Sequence, residues 1–176
     1  MAAERAIRVG DRVVSDGQPT YIIAEAGVNH RCDMELARRL IREARQAGAD
    51  AIKFQTYKAE TLVTRWAPRY WEDSEESGTQ FAIFKESDRF GPEQYRAMAD
   101  YCGEQGIDFL STPFDHSAVT LLDQLGVSLF KIASADLTDR TLLGEIAKTG
   151  KPVVQSTGAS TLDEVDAWLA RARECG

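Results

Sequence analysis

Several polar side chains stand where short apolar segments of the chain end. They are a carboxylate, two lysines, an amide and three hydroxyls: Glu25, Lys53, Gln55, Thr112, Lys131, Ser134 and Ser156. Ammonium groups supply charge and hydroxyls supply directed donors, a combination that suits phosphate and carboxylate oxygens. Glu25 can instead accept hydrogen bonds from sugar hydroxyls, or act as a general base once an anion compensates the lysines. The residue types therefore predict a site for an anionic small molecule.

A structural role for the two lysines is the alternative. Lys53 and Lys131 could pair with Glu25 and Asp136 inside the fold, because ion-pair networks also occur without a catalytic purpose. Two lysines at separate segment ends, each with a hydroxyl residue nearby in the sequence, favour the functional interpretation.

The apolar segments themselves suit strands that are covered on both faces. They comprise residues 21–24, 51–54, 108–111, 129–132 and 153–156. Helical patterns separate them, beginning with a helix that Asp33 can cap and Gly48 can end. The alternation predicts an α/β fold with a parallel sheet, either open or closed into a barrel. In both cases the polar residues meet at the carboxyl ends of the strands, and Lys53 and Gln55 point the same way.

Two segments lie outside this alternation. Residues 1–19 contain two short extended pieces, around residues 7–9 and 12–15, and predict an N-terminal β-hairpin before the main domain of residues 20–176. The insertion at residues 57–91 holds Trp66, Tyr70, Trp71 and an acidic cluster, and it either covers a sugar or packs on the domain.

The last helix is predicted from a capping box of Thr161 and Glu164. Its expected buried stripe consists of Leu162, Val165, Trp168 and Leu169.

Composition narrows the function classes. The net charge of −7 over 176 residues disfavours binding to nucleic acid or to an anionic membrane surface. The three cysteines lack paired spacing, which favours a reducing cytoplasm, and no apolar segment is long enough to span a membrane. His30 and His116 are isolated and do not make a metal site, and His30 either touches a substrate or caps its loop.

The motifs around these residues strongly resemble the sialic acid synthase family. The resemblance runs in order through Ile22–Ile23–Ala24–Glu25–Ala26–Gly27–Val28–Asn29–His30, Gly48–Ala49–Asp50–Ala51–Ile52–Lys53–Phe54–Gln55–Thr56, Ser111–Thr112–Pro113–Phe114–Asp115, Phe130–Lys131–Ile132–Ala133–Ser134, and a fifth motif made of Gly150–Lys151–Pro152 with Ser156–Thr157–Gly158. Five separate motifs in the same order are far more specific than any one of them.

The resemblance implies a TIM (β/α)8-type barrel and a condensation of phosphoenolpyruvate with an N-acetylated amino sugar, giving a nonulosonic acid and phosphate. On the matching positions, Lys53 and Thr112 would hold the carboxylate of phosphoenolpyruvate, whereas Lys131, Ser134 and Ser156 would hold its phosphate. Glu25 and Gln55 would face the open-chain sugar. Asp136 stands where a sugar-contacting glutamate is common, and Cys32 stands where a glycine is common.

A TIM barrel has eight strands and typically about 250 residues, whereas only about five βα units are predicted here. The barrel is therefore expected to be incomplete. The resemblance also implies a divalent Mn²⁺ or Mg²⁺ ion whose histidine ligands come from later strands, an antifreeze-like C-terminal domain, and a homodimer. None of those ligands is expected within residues 20–176.

Two other functions stay open. The chain could be a noncatalytic barrel fragment or binding module that keeps the phosphoenolpyruvate pocket without the metal. It could also belong to an aldolase that uses Lys131 or Lys53 as a Schiff-base nucleophile, although the neighbouring hydroxyls suit phosphate better than a neutral amine.

Overall fold

The computed structural model describes residues 6–69 and 79–175. The strands are β1 Ala6–Val9, β2 Arg12–Ser15, β3 Ile23–Gly27, β4 Ala51–Thr56, β5 Asp108–Pro113, β6 Phe130–Ile132 and β7 Val153–Gln155. The helices are α1 Met34–Gln46, α2 Ala59–Leu62, α3 Gln80–Ser87, α4 Pro92–Gln105, α5 His116–Leu125, α6 Arg140–Ala147 and α7 Leu162–Cys175, with a 3-10 turn at Ser134–Asp136.

Strands β3 to β7 run parallel and follow one another in space as they do in sequence. β3, β4 and β5 form one hydrogen-bonded set and β6 and β7 form another, with β5 packed beside β6. A helix follows each of these strands, so the expected α/β architecture with a parallel sheet is confirmed. All five strands place their carboxyl ends at the same edge, where the first residues of the following loops meet.

Local sequence signals set the helix ends. The side chain of Asp33 accepts hydrogen bonds from the backbone N–H groups of Glu35 and Leu36, and Asp139 does the same at the start of α6. Gly106 and Gly126 end α4 and α5 in the left-handed conformation, which glycine adopts without steric cost. The caps at Asp33 and Asp139 set where two loops of the functional edge end, whereas Gly106 and Gly126 begin loops at the opposite edge of the sheet.

The alternation of side chains along β4 divides the interior into two layers. Ile52 and Phe54 pack against the helices in the main core, whereas Ala51 belongs to a second cluster with Leu110 and Leu129. Lys53 lies two residues beyond Ala51 and therefore on the same face as that second cluster. The ammonium of Lys53 thus stands directly above an apolar layer.

The first two strands close the opposite end of this second layer. β1 and β2 pair antiparallel, and Val9 joins the cluster of Ala51 and Leu110. Arg12 forms an ion pair with Asp50. The hydroxyl of Tyr21 donates to the Asp108 carboxylate at 2.5 Å. Water is thereby excluded from the amino-terminal side of the layer beneath Lys53.

Two sequence-based expectations are wrong in detail. The first main-domain strand was expected at residues 21–24 with Glu25 beyond it, but β3 includes Glu25 because Glu25 still pairs in register with Lys53, and the ladder continues past an irregularity to Gly27. Leu162 was expected to be buried, yet it is 82% exposed because it begins α7 where no described element covers it. Trp168 of the same predicted stripe does pack against the core.

The cap of α1 gives a stability prediction. Asp33→Ala removes the acceptor for two backbone N–H groups, so the free energy of unfolding should fall by about 1 kcal/mol. Glu43→Ala is the control, because its ion pair with Arg39 is exposed and should contribute less than about 0.5 kcal/mol. Urea unfolding of both variants measures the difference, and equal losses would contradict the capping role.

Candidate functional site

Lys53 and Glu25 form the central ion pair of the functional edge. They are cross-strand neighbours on β4 and β3, and the Lys53 ammonium contacts the Glu25 carboxylate directly. The Lys53 side chain is 11% exposed whereas that of Glu25 is 55% exposed. The ammonium also donates to the Thr112 hydroxyl at 3.5 Å. A buried cation is therefore compensated by a carboxylate that solvent, or a ligand, can reach.

Gly27 lies at the irregularity in β3 and borders the Glu25 carboxylate. Gly27 has a positive φ of 54°, a conformation that glycine adopts readily. A Cβ atom at Gly27 would lie 3.5 Å from Glu25 Oε1 and 3.8 Å from Gln55 Nε2. The absence of a side chain at Gly27 thus leaves Glu25 and Gln55 next to each other at the mouth of the sheet.

Lys131 is the second ammonium of the site and it is partly buried on β6. Its Nζ donates to the backbone carbonyl of Ile132 at 2.6 Å. Burial lowers the pKa of Lys131 below its ordinary value, the positive charge of Lys53 lowers it further, and the carboxylates of Glu25 and Asp136 oppose these effects. The two lysines are close enough to repel each other, and a bound anion would relieve that repulsion.

Asp136 lies on the 3-10 turn that follows β6. Burial raises the pKa of its carboxyl to about 6, and the negative charge of Asp139 adds to the rise. Its Oδ2 is buried and has no hydrogen-bond partner among the described residues. Asp136 is thus a carboxyl that can gain a proton near neutral pH.

The loops after β6 and β7 touch each other. A Cβ atom at Gly158 would lie 3.5 Å from the Ser134 hydroxyl, so the two loops approach to van der Waals contact. Ser156 lies at the end of β7, where its backbone N–H donates to Ile132. The hydroxyls of Ser134 and Ser156 therefore stand on neighbouring loops beside Lys131.

The predicted residues fall into two groups at one edge. Glu25, Lys53, Gln55 and Thr112 lie on the set of β3, β4 and β5, whereas Lys131, Ser134, Asp136 and Ser156 lie on β6, β7 and the turn between them. Gly27 and Gln155 were missed by sequence reasoning. The available signal for Gln155 was a polar residue in the short strand directly after Val153 and Val154.

The sequence left two roles open for His30, contact with a substrate or a structural role in its loop, and the structure supports the structural role. Its ring is buried and stacks on Phe90 with a centroid distance of 4.6 Å, while Nδ1 accepts the Cys32 backbone N–H at 3.0 Å. The imidazole must be neutral to accept this bond, and burial lowers its pKa. His30 therefore holds the loop that follows β3.

The described residues do not fit a resident divalent metal. They contain no group of three or more His, Cys, Asp and Glu side chains that could hold one, and the Glu25 carboxylate is already paired with Lys53.

In the insertion, Trp66 is 84% exposed, so it does not pack on the domain, whereas Tyr70, Trp71 and the acidic cluster lie outside the described residues. No helix in residues 6–69 and 79–175 is long and apolar enough to cross a membrane.

Comparison with known proteins gives one consistent family. The NeuB family matches residues 40–176. The chain is 38% identical over 148 residues to the N,N'-diacetyllegionaminic acid synthase of Legionella pneumophila, covering 82% of this chain and 41% of that enzyme. It is 37% identical over 153 residues to human N-acetylneuraminate-9-phosphate synthase, covering 86% and 43% respectively. It thus spans less than half the length of these two curated relatives.

A solved structure agrees with the sequence matches. The N-acetylneuraminic acid synthetase of Leptospira borgpetersenii, crystallised with citrate, superposes with a TM-score of 0.83 at 32% identity. The match covers 98% of this chain and 56% of that one.

The buried imidazole predicts an acid-sensitive fold. Because the pKa of His30 is lowered in the folded state, the unfolded chain binds more protons below about pH 6.5, so the free energy of unfolding should fall as the pH drops. Asp136 acts in the opposite direction, since its raised pKa favours the folded state on acidification. Urea unfolding between pH 7.5 and 5 should therefore compare the wild type with His30→Gln.

His30→Gln should show a weaker loss of stability on acidification than the wild type, and His116→Gln should keep the wild-type slope. Identical slopes in the wild type and His30→Gln would contradict a buried neutral imidazole.

Proposed function

Because the chain belongs to the NeuB family, the family of the sialic acid synthases, we propose that it forms the phosphoenolpyruvate-binding part of a nonulosonic acid synthase. The synthase condenses phosphoenolpyruvate with an N-acetylated, N-acetylmannosamine-like amino sugar. In this proposal the chain forms the first five βα units of a (β/α)8 barrel. Ligands of such barrels bind at the carboxyl ends of the strands.

The observation that supports this proposal is the paired arrangement of Lys53 and Lys131. Two ammonium groups share one edge, a buried layer lies below them, and among the described residues Glu25 pairs with Lys53 while no ion pair holds Lys131. Lys131 is therefore available to an added anion, and phosphoenolpyruvate carries a carboxylate and a phosphate at opposite ends. Lys53 and Thr112 hold the carboxylate, while Lys131, Ser134 and Ser156 hold the phosphate.

The reaction forms one carbon–carbon bond. Carbon 3 of phosphoenolpyruvate attacks the aldehyde carbon of the open-chain sugar, and the aldehyde oxygen takes up a proton and becomes a hydroxyl. Water adds to carbon 2 and loses a proton, and collapse of the adduct breaks the bond between carbon 2 and the phosphate oxygen. The products are a 2-keto acid and inorganic phosphate.

The chain's own residues act on charge and position in these steps. Lys131 stabilises the negative charge that collects on the departing phosphate, and preorganised charges of this kind supply a large share of catalysis. Glu25, with Gln55 beside it, faces the aldehyde end of the sugar, and Asp136 contacts the sugar from the turn after β6. A divalent Mn²⁺ or Mg²⁺ ion belongs to the proposed reaction, and its ligands lie outside the described residues.

The first test is the loss of phosphate release. In the complete gene product, Lys53→Ala or Lys131→Ala should reduce phosphoenolpyruvate-dependent phosphate release by at least about 100-fold, because each change removes a charge that the reacting anion needs. Lys148→Ala is the control, since Lys148 is exposed and pairs with Glu145 away from the site. Turnover near the wild-type value in both site variants would refute the assignment.

Binding measurements separate the synthase from a noncatalytic binding module. A module would bind phosphoenolpyruvate in a titration, with the same dependence on Lys53 and Lys131, but would release no phosphate when an amino sugar is added.

The second test uses pH. Lys131 binds the anion only when it is protonated, so the KM for phosphoenolpyruvate should stay constant at lower pH and rise as the pH passes the lowered pKa of Lys131. Lys131→Arg should shift this rise to higher pH, because a guanidinium stays charged. Lys148→Arg is the matched control and should leave the profile unchanged. A profile that Lys131→Arg does not move would contradict the contact with the anion.

A further inference from the structure

We infer that Gln155 is a positioning residue that joins the two loops of the proposed phosphate-binding group. Its side-chain Nε2 donates to the backbone carbonyl of Ala133 at 3.1 Å and to that of Ser156 at 2.6 Å. Ala133 directly precedes Ser134, and Ser156 lies at the end of β7. The amide thus connects the backbones that carry the two serines, and the inference rests on the proposed function.

The orientation of the Gln155 amide is fixed by its partners. Both partners are carbonyl oxygens, which can only accept, so the NH₂ group must face them and both of its hydrogens are used. Oε1 consequently points away, where it is buried and accepts no hydrogen bond among the described residues. This arrangement leaves an acceptor unsatisfied, which costs stability, and it is maintained by the two contacts of the NH₂ group.

Four further contacts lie where the loops after β6 and β7 meet. The backbone N–H of Ser156 donates to the Ile132 carbonyl, which also accepts from Lys131 Nζ. The 3-10 turn begins with the bond from the Asp136 N–H to the Ala133 carbonyl, so that carbonyl is shared with Gln155. Gly158 leaves room for the Ser134 hydroxyl. Gln155 therefore shares the Ala133 carbonyl with the turn that carries Ser134 and bonds the Ser156 backbone directly, and Lys131 bonds the adjacent Ile132 carbonyl.

This role differs from a contribution to global stability. Gln155→Leu removes two hydrogen bonds but also removes the unsatisfied Oε1, so unfolding should change little. The distance between the two serine loops, in contrast, should become less well defined. The affected quantity is the affinity for the phosphate end of the substrate and not the affinity for the amino sugar.

The test compares Gln155→Leu with Thr149→Val in the complete gene product. The Thr149 hydroxyl also makes two hydrogen bonds to backbone groups, but at the opposite end of β7. Gln155→Leu should raise the KM for phosphoenolpyruvate about tenfold, with kcat within a factor of about two and the KM for the amino sugar unchanged. Thr149→Val should change none of these values.

Gln155→Glu adds a readout that a structural role would not move. A carboxylate would face two carbonyl oxygens and repel them, whereas a protonated carboxyl regains one donor. The ratio of the variant's phosphoenolpyruvate KM to that of the wild type should therefore fall towards one as the pH is lowered. A ratio that does not depend on pH would count against the hydrogen-bonding role.

Amide hydrogen exchange separates failure of this inference from failure of the proposed function. Without substrate, Gln155→Leu should increase exchange about tenfold at the Asp136 and Leu137 amides, and Thr149→Val should not. Unchanged exchange, or faster exchange with an unchanged KM for phosphoenolpyruvate, overturns the inference. Absence of phosphate release in the wild type overturns the proposed function instead, and the exchange result then still decides whether Gln155 joins the loops.

Discussion

The arrangement of this edge of the sheet depends on keeping the ammonium of Lys53 charged above an apolar layer. Transfer of an uncompensated ammonium out of water costs several kcal/mol, so a charged Lys53 needs a partner. Glu25 provides that partner from the neighbouring strand. The pair lies in the regular part of the ladder, and the irregularity between Glu25 and Gly27 comes after it. One electrostatic requirement thus explains why the cross-strand register places a carboxylate beside a buried ammonium.

The apolar layer also affects the electrostatics of this edge. Val9 and Leu110 exclude water from below, so charges at the mouth interact more strongly than they would in bulk solvent. The lowered pKa of Lys131 reflects the same environment, in which burial and a neighbouring cation both disfavour the charged amine. The first two strands, which carry Val9, therefore affect the site without contacting it.

The sequence predicted the elements well and the connections between loops poorly. The spacing of apolar residues and the order of the strands are sufficient to predict three features. These are the strands β4 and β5, the cap at Asp33, and the grouping of Lys53 with Thr112. The extension of β3 past Glu25 and the contacts of Gln155 depend on tertiary pairing. Neither a single-residue bulge nor an amide that bonds two loops changes the spacing of apolar residues in the sequence. The one signal for the amide was the polar Gln155 directly after Val153 and Val154.

The division of the strands into two hydrogen-bonded sets has a geometric consequence. The groups proposed for the carboxylate lie on β4 and β5, and those proposed for the phosphate lie on β6, β7 and the adjoining loops. A ligand that satisfies both groups must cross the boundary between β5 and β6, and its own covalent length must equal the separation across it. In the proposed function, the separation between the two groups selects for anions that carry two charged ends at a matching distance.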